Sequence, residues 1–233
     1  MHKHPFFLVQ SMYIEKSIYR LNRRKKLNSH TVQYPLILLI GIFSFLSNVK
    51  AQTDLIDLEI ISTEFEYEIR YATTNNFVGE KLYECPKCLL RPEVVKALIL
   101  ANQYFCENGY RIKIYDCYRP LDIQMKMWSK VPRATYVANP NELGSIHNRG
   151  AAVDITLVTL EGCYVNMGTD FDHFGPKAHI DNQNLSDEIN QNRTLLFDGM
   201  RSSGFNTIRT EWWHFSYRNN SFFNIENTPL PCD

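Results

Sequence analysis

Residues 92–118 read PEVVKALILANQYFCENGYRIKIYDCY, and a change of period within them decides the fold class. Val94, Leu98, Ala101 and Phe105 recur at helical spacing, Pro92 suits a first helical turn and Gly109 marks a stop, so a helix is expected over about 92–107. From Arg111 to Tyr118 the period falls to two, with Ile112 and Ile114 set against Arg111 and Lys113, which predicts a strand. Outward from there, Leu121 to Lys130 reads as a helix with Leu121, Met125 and Trp128 on one side, and Ala151 to Leu157 as β. Ser186 caps a further helix reaching about Arg201, with Ile189, Leu196 and Met200 inward and Gly204 just beyond it. Thr207 to Tyr217 is aromatic and strand-like. Helices and strands do not alternate regularly. The reading is therefore α+β, a single domain with a central antiparallel sheet flanked by helices, rather than a doubly wound fold.

The chain has 233 residues, 44% hydrophobic and 21% charged, with 25 basic and 25 acidic side chains, which excludes a low-complexity or disordered protein. Zero net charge gives no reason to expect nucleic-acid binding. That zero is uneven along the chain. Residues 1–51 carry eight Lys/Arg against one acid, Glu15, leaving 17 basic and 24 acidic residues for the remainder. Arg20 to Lys26 reads RLNRRKK and Pro35 to Leu46 reads PLILLIGIFSFL, the order of a secretory signal with an extended basic region. The apolar run is short of the ~20 residues of a membrane span. Val49 and Ala51 suit cleavage after Ala51, leaving Gln52 at the N-terminus; Met12 is an alternative start, and an uncleaved anchor is the other reading. Residues 1–51 are thus expected to be a signal peptide and 52–233 the mature domain, exported to the periplasm or secreted, without membrane insertion of that domain.

Export admits disulfides among Cys85, Cys88, Cys106, Cys117, Cys163 and Cys232. Cys85-Pro-Lys-Cys88 lacks both the second pair of a zinc knuckle and the strand-to-helix setting of a redox motif. At least one structural disulfide is expected, with connectivity open.

Past the leader four histidines remain: His147, His173, His179 and His214. His147 lies in Ser145-Ile-His-Asn-Arg-Gly-Ala-Ala-Val-Asp154, and His214 closes Glu211-Trp-Trp-His214. A catalytic zinc takes three protein ligands and keeps a position for water. His147, Asp154 and His214 supply two neutral imidazoles and one carboxylate, leaving a net positive charge that favours ionisation of bound water. His147 and Asp154 are separated by about 23 Å along an extended strand. Sharing a metal therefore requires Asn148-Arg149-Gly150 to turn the chain back. Glu211 and His214 fall on opposite faces of a regular strand, so a bulge or strand end must lie between them if both serve one site. Glu211 is a candidate general base. Arg119, in Asp116-Cys-Tyr-Arg119-Pro120, is placed to stabilise an oxyanion.

These motifs resemble the zinc D-alanyl-D-alanine dipeptidases, relatives of the bacterial D,D-carboxypeptidases. The pattern SxHxxGxAxD matches Ser145 to Asp154, ExWH matches Glu211 to His214, and YR-P matches Tyr118-Arg119-Pro120. Tyr71 to Gly79 and Met167 to Asp172 are similar to two further stretches of the family. The stretch between Asp154 and Met167 is one residue shorter than the commonest pattern. The resemblance implies a D,D-peptidase fold with one zinc per chain on His147, Asp154 and His214, Glu211 as base, and Arg119 against the transition state. It also implies that Asp172 holds the ammonium of a small dipeptide and Ser145 its carboxylate end. His173 and His179 are read as ordinary structural or surface residues. The alternatives are a D,D- or L,D-carboxypeptidase or endopeptidase on peptidoglycan stems, and a zinc-stabilised binding module without catalysis. A cytoplasmic resistance enzyme must destroy D-Ala-D-Ala before it enters wall precursors, so an exported enzyme suits wall turnover instead.

Overall fold

The computed structural model describes residues 54–232, and the basic leader lies outside the described residues. In chain order the elements are β1 (Ile56–Asp57), α1 (Leu58–Ile61), β2 (Glu66–Tyr67), β3 (Leu89–Leu90), α2 (Pro92–Glu107), β4 (Tyr110–Asp116), α3 (Leu121–Lys130), β5 (Ala152–Thr159), α4 (Asp187–Ser202), β6 (Phe205–Ile208) and β7 (Glu211–Tyr217). The fold is α+β. Five strands form the main sheet in the order β2-β4-β5-β7-β6, and β1 pairs with β3 in a separate two-residue ribbon.

The sheet is antiparallel from β4 to β6, but its short edge strand β2 runs parallel to β4. The connection between those two passes through β3 and α2, a crossover of the length that parallel pairing requires. Helix α2 spans the range its periodicity predicts, and Val94, Leu98, Ala101 and Phe105 are all fully buried. They pack on β4, whose Ile112 and Ile114 are equally buried. The Ser186 hydroxyl accepts from the Ile189 N–H at the start of α4, and Leu196 and Met200 point inward. Helix α4 crosses α2 at Gly199, where any Cβ would collide with the Phe105 ring.

Two expectations need correction. Thr207 to Tyr217 is not one strand: β6 and β7 form a hairpin that reverses at Arg209-Thr210. Helix α3 buries Gln124 and Met127, while Met125 is half exposed. The inward side is chosen by a polar demand, because the Gln124 amide accepts from Arg119 and donates to the Ala138 carbonyl.

Two disulfides form, Cys85–Cys232 and Cys88–Cys117, so the two cysteines of the CxxC pair with different partners. Cys106 and Cys163 are free. Among the described residues no helix is long and apolar enough to cross a membrane.

Candidate functional site

Three central strands set one row of polar side chains. Asp154 on β5 is the register partner of His214 on β7 and of Asp116 on β4. Regular alternation of β4 would turn Asp116 to the same side as Ile112 and Ile114. A bulge between Ile114 and Asp116 inserts one residue and brings Asp116 opposite Asp154 instead. His147 arrives from a 3-10 turn, Ile146–Arg149, that doubles back just before β5. Ser145 caps it, its hydroxyl accepting from the His147 N–H at 3.2 Å while Asn148 Oδ1 accepts from the Ser145 N–H at 2.7 Å. Gly150 ends the turn at φ 66°, a left-handed conformation suited to glycine, and a Cβ there would run into Leu55.

The result is a buried triangle of donors. His147 Nε2 lies 3.1 Å from His214 Nδ1 and 3.3 Å from Asp154 Oδ1, and His214 Nδ1 lies 3.0 Å from that same oxygen. A zinc ion with ligand bonds of about 2.0–2.1 Å in a tetrahedron sets its donors about 3.3 Å apart, so the three groups fit it. His147 Nδ1 is 2.7 Å from the Cys117 carbonyl, to which it donates, leaving the Nε2 lone pair for a cation. Burial opposes charge on both rings. The Asp154 carboxylate overrides this at His147, whose pKa is raised, but not at His214, whose pKa is lowered. Burial would raise the Asp154 carboxyl, yet His147 and then His214 hold it well below the usual carboxylate range.

A cavity of about 200 Å³ opens over the triangle, and all seven residues singled out from the sequence line it. Glu211 is the first residue of β7, separated from the His214 register by a bulge opposite Thr207 and Ile208, which meets the requirement for a break between them. Its pKa is pushed well above the usual range by burial, then by the Asp154 and Asp172 carboxylates. Arg119 donates through Nε and Nη2 to Asp116 Oδ2 and through Nη1 to Gln124 Oε1, and lies over the Tyr71 ring. Its Nη2 is 3.9 Å from Asp154 Oδ2. Three of its five N–H groups are engaged, so two remain for a ligand. Asp172 sits at φ 61°, with its oxygens accepting from the Tyr71 hydroxyl and the Phe77 N–H. Burial, then the Asp154 carboxylate, pushes its pKa up to about 7. The Ser145 hydroxyl keeps its own proton to donate. His173 is exposed, and His179 lies beside Arg209; neither lines the cavity.

Sequence reasoning assigned no role to Tyr71, Tyr83, Asp116 or Gln124. Asp116 is fully buried, holds Arg119 through one oxygen and accepts from Tyr83 through the other at 2.6 Å. Its place two residues before Tyr118-Arg119-Pro120 was the only available signal. Phe77, Phe174 and Tyr136, from three separate loops, wall the cavity, with Tyr136 and Phe174 stacked at 4.5 Å.

Ionisable groups of both signs gathered in one small cavity that opens to solvent are the equipment of a hydrolytic enzyme. The family model described as D-ala-D-ala dipeptidase matches residues 51–228, and the chain belongs to that family. The D-alanyl-D-alanine dipeptidase of Escherichia coli strain K12 is 35% identical, over 70% of this chain and 84% of that protein. That of Enterococcus faecium is 30% identical, over 68% and 91%. A solved structure of VanYB in complex with D-alanine-D-alanine is 16% identical over 58% of this chain and 75% of its own, with a TM-score of 0.38, too weak a likeness to add to the assignment.

Proposed function

We propose that the protein is an exported zinc dipeptidase that hydrolyses D-Ala-D-Ala, or a similar short D-amino-acid dipeptide, to free amino acids during peptidoglycan turnover. The observation that carries this is the convergence of His147, Asp154 and His214 beside an uncommitted Glu211 within one small cavity. In this reading residues 52–233 are the mature domain after a signal peptide at 1–51. The two disulfides support export, since such bonds persist in oxidising compartments.

When bound by His147, Asp154 and His214, zinc supplies Lewis acidity to the scissile carbonyl and acidifies the attacking water. Glu211 takes the proton of that water and returns it to the leaving amine, a task suited to a carboxylate of raised pKa. Arg119, fixed by Asp116 and Gln124, turns its remaining N–H groups toward the oxyanion. Asp172 pairs with the substrate ammonium, and Ser145 donates to its carboxylate.

A cavity of about 200 Å³ is smaller than the roughly 300–1,000 Å³ that holds drug-sized ligands, a size that suits a dipeptide. The test is to purify the full chain, measure its zinc, and compare D-Ala-D-Ala with its N-acetylated form. Stoichiometric zinc and loss of the blocked substrate are expected. Equal turnover of both would favour a carboxypeptidase or endopeptidase, and zinc without hydrolysis across a panel of D-peptides a binding module.

Asp172→Asn isolates the ammonium contact. Asparagine tolerates the left-handed backbone at this position, and its one oxygen can keep the Phe77 N–H while its amide donates to the Tyr71 hydroxyl, which can accept as well as donate. Loss of a charge-assisted bond of about 1.5–3 kcal/mol raises KM for the free dipeptide about 10- to 150-fold, with a smaller change in kcat. An unchanged KM would remove Asp172 from substrate recognition.

A further inference from the structure

The geometry points to a redox brace: the Cys88–Cys117 disulfide positions the metal site, holding residues 117–119 so that the Cys117 carbonyl orients His147 and Arg119 stays against Asp116 at the end of β4. This rests on the reading of His147, Asp154 and His214 as zinc ligands.

Strand β4 ends at Asp116, so the sheet ladder does not hold the residues that follow. Cys117 is the first of them. Its carbonyl accepts from His147 Nδ1 at 2.7 Å, the contact that sets the ring tautomer and aims Nε2 at Asp154 and His214. Its neighbours carry the rest of the link. Asp116 binds the guanidinium of Arg119, and the Arg119 N–H donates back to the His147 carbonyl at 3.1 Å. Beyond the strand end the segment is tied to the β1–β3 ribbon by one backbone bond, Tyr118 N–H to the Leu89 carbonyl, and by the disulfide itself. Both half-cystines are buried, so the bridge lies beneath the site and not on its rim. Opening it to two thiols removes the one covalent tie and leaves the orienting carbonyl on a segment held by the buried Tyr118 ring and by hydrogen bonds, among them Tyr118 hydroxyl to the Thr228 carbonyl and the Asn148 amide to the Arg119 carbonyl.

The second disulfide makes an internal control. Cys85–Cys232 anchors the end of the chain, but the tail segment touching the site-bearing turn is held independently. Phe223 accepts from Arg149, and the Glu226 N–H donates to the Asn148 carbonyl. Cys85–Cys232 spans 147 residues against 29 for Cys88–Cys117, so it restricts the unfolded chain more and contributes more to stability. The longer bridge governs stability, while the shorter one governs metal affinity. A chain made in a reducing compartment lacks the brace and binds zinc weakly there. The dipeptidase then gains its metal only after oxidation outside the cell, and dipeptide destined for wall precursors is spared.

The test compares the full-length wild type with Cys88→Ala/Cys117→Ala and Cys85→Ala/Cys232→Ala, measuring Tm and zinc affinity by chelator competition. Cys88→Ala/Cys117→Ala is expected to lose about 10- to 100-fold in zinc affinity. Cys85→Ala/Cys232→Ala is expected to show the larger fall in Tm with zinc affinity unchanged. Wild-type affinity in the first variant, or zinc affinities that merely follow Tm in both, overturns the brace and leaves the zinc site standing. A wild type that binds no zinc overturns the site and the brace with it.

A second measurement needs no substitution. The wild type is reduced stepwise with a phosphine, which becomes the phosphine oxide as each bridge opens to two thiols. The new thiols are alkylated and mapped by mass while zinc release is followed. Release in step with opening of Cys88–Cys117, in protein whose near-ultraviolet circular dichroism shows that it stays folded, supports the brace. Release in step with Cys85–Cys232, or with neither, overturns it.

Discussion

Glu211→Gln lowers kcat for D-Ala-D-Ala by about 10²- to 10⁴-fold while zinc content stays at the wild-type level. The substitution removes the proton acceptor and keeps the shape. Zinc is retained because Glu211 stands outside the His147, Asp154 and His214 triangle. Stability moves the other way from activity. A carboxyl whose pKa is raised on folding destabilises the protein when ionised, and Glu211 is raised by burial and by the Asp154 and Asp172 carboxylates. In the metal-free protein that repulsion appears only as rising pH ionises Glu211, and a neutral amide relieves it, so at high pH the Tm of metal-free Glu211→Gln holds or exceeds that of the metal-free wild type. Zinc content, Tm and kcat measured on the same preparation give the answer. A zinc-replete Glu211→Gln protein with near-normal turnover removes Glu211 from the mechanism.

Arg119→Ala combines two losses. Removing a donor aimed at developing negative charge costs about 10²- to 10³-fold in kcat. Asp116 is fully buried and holds two of its hydrogen bonds to this guanidinium, so truncation leaves its carboxylate, among the described residues, with the hydrogen bond from the Tyr83 hydroxyl and with His147 Nδ1 at 3.6 Å. Uncovering a buried charge in this way costs about 3–5 kcal/mol of stability. Arg119→Lys does not rescue the protein, because one ammonium cannot reproduce a planar fork serving Asp116, Gln124 and the cavity together. Thermal unfolding is measured first, and kinetics then at a temperature where the variant is folded. A protein of unchanged Tm would show that Asp116 is satisfied without Arg119, and unchanged kcat that the guanidinium does not meet the reacting atoms.

Much of this arrangement was legible in the chain. The helical period of Val94, Leu98, Ala101 and Phe105 maps onto a fully buried face because burial of apolar area is what such a period encodes. Gly150 in the stretch from Ser145 to Asp154 announced a reversal, and the turn is there. Where reading failed, the cause was a contact with a distant segment. The apolar side of α3 suggested Met125 inward, but the helix turns on Gln124 because Arg119 needs an acceptor. The hairpin at Arg209-Thr210 lacks glycine, proline or asparagine, so no local signal divided β6 from β7.

Local sequence set the longer helices, the central strands β4 and β5, the metal-suited residue types and the cysteines able to pair, since propensity, period and donor chemistry belong to single side chains and their near neighbours. Only the tertiary structure decided which cysteines meet, that Asp116 leaves the hydrophobic face of β4 for the site, and that Glu211 joins His214 across a break in register. Each of these depends on one strand aligning against another. A bulge that shifts the pairing by a single residue reverses the face a side chain occupies, and the energy that selects it lies in buried charges and hydrogen bonds between segments far apart in the chain.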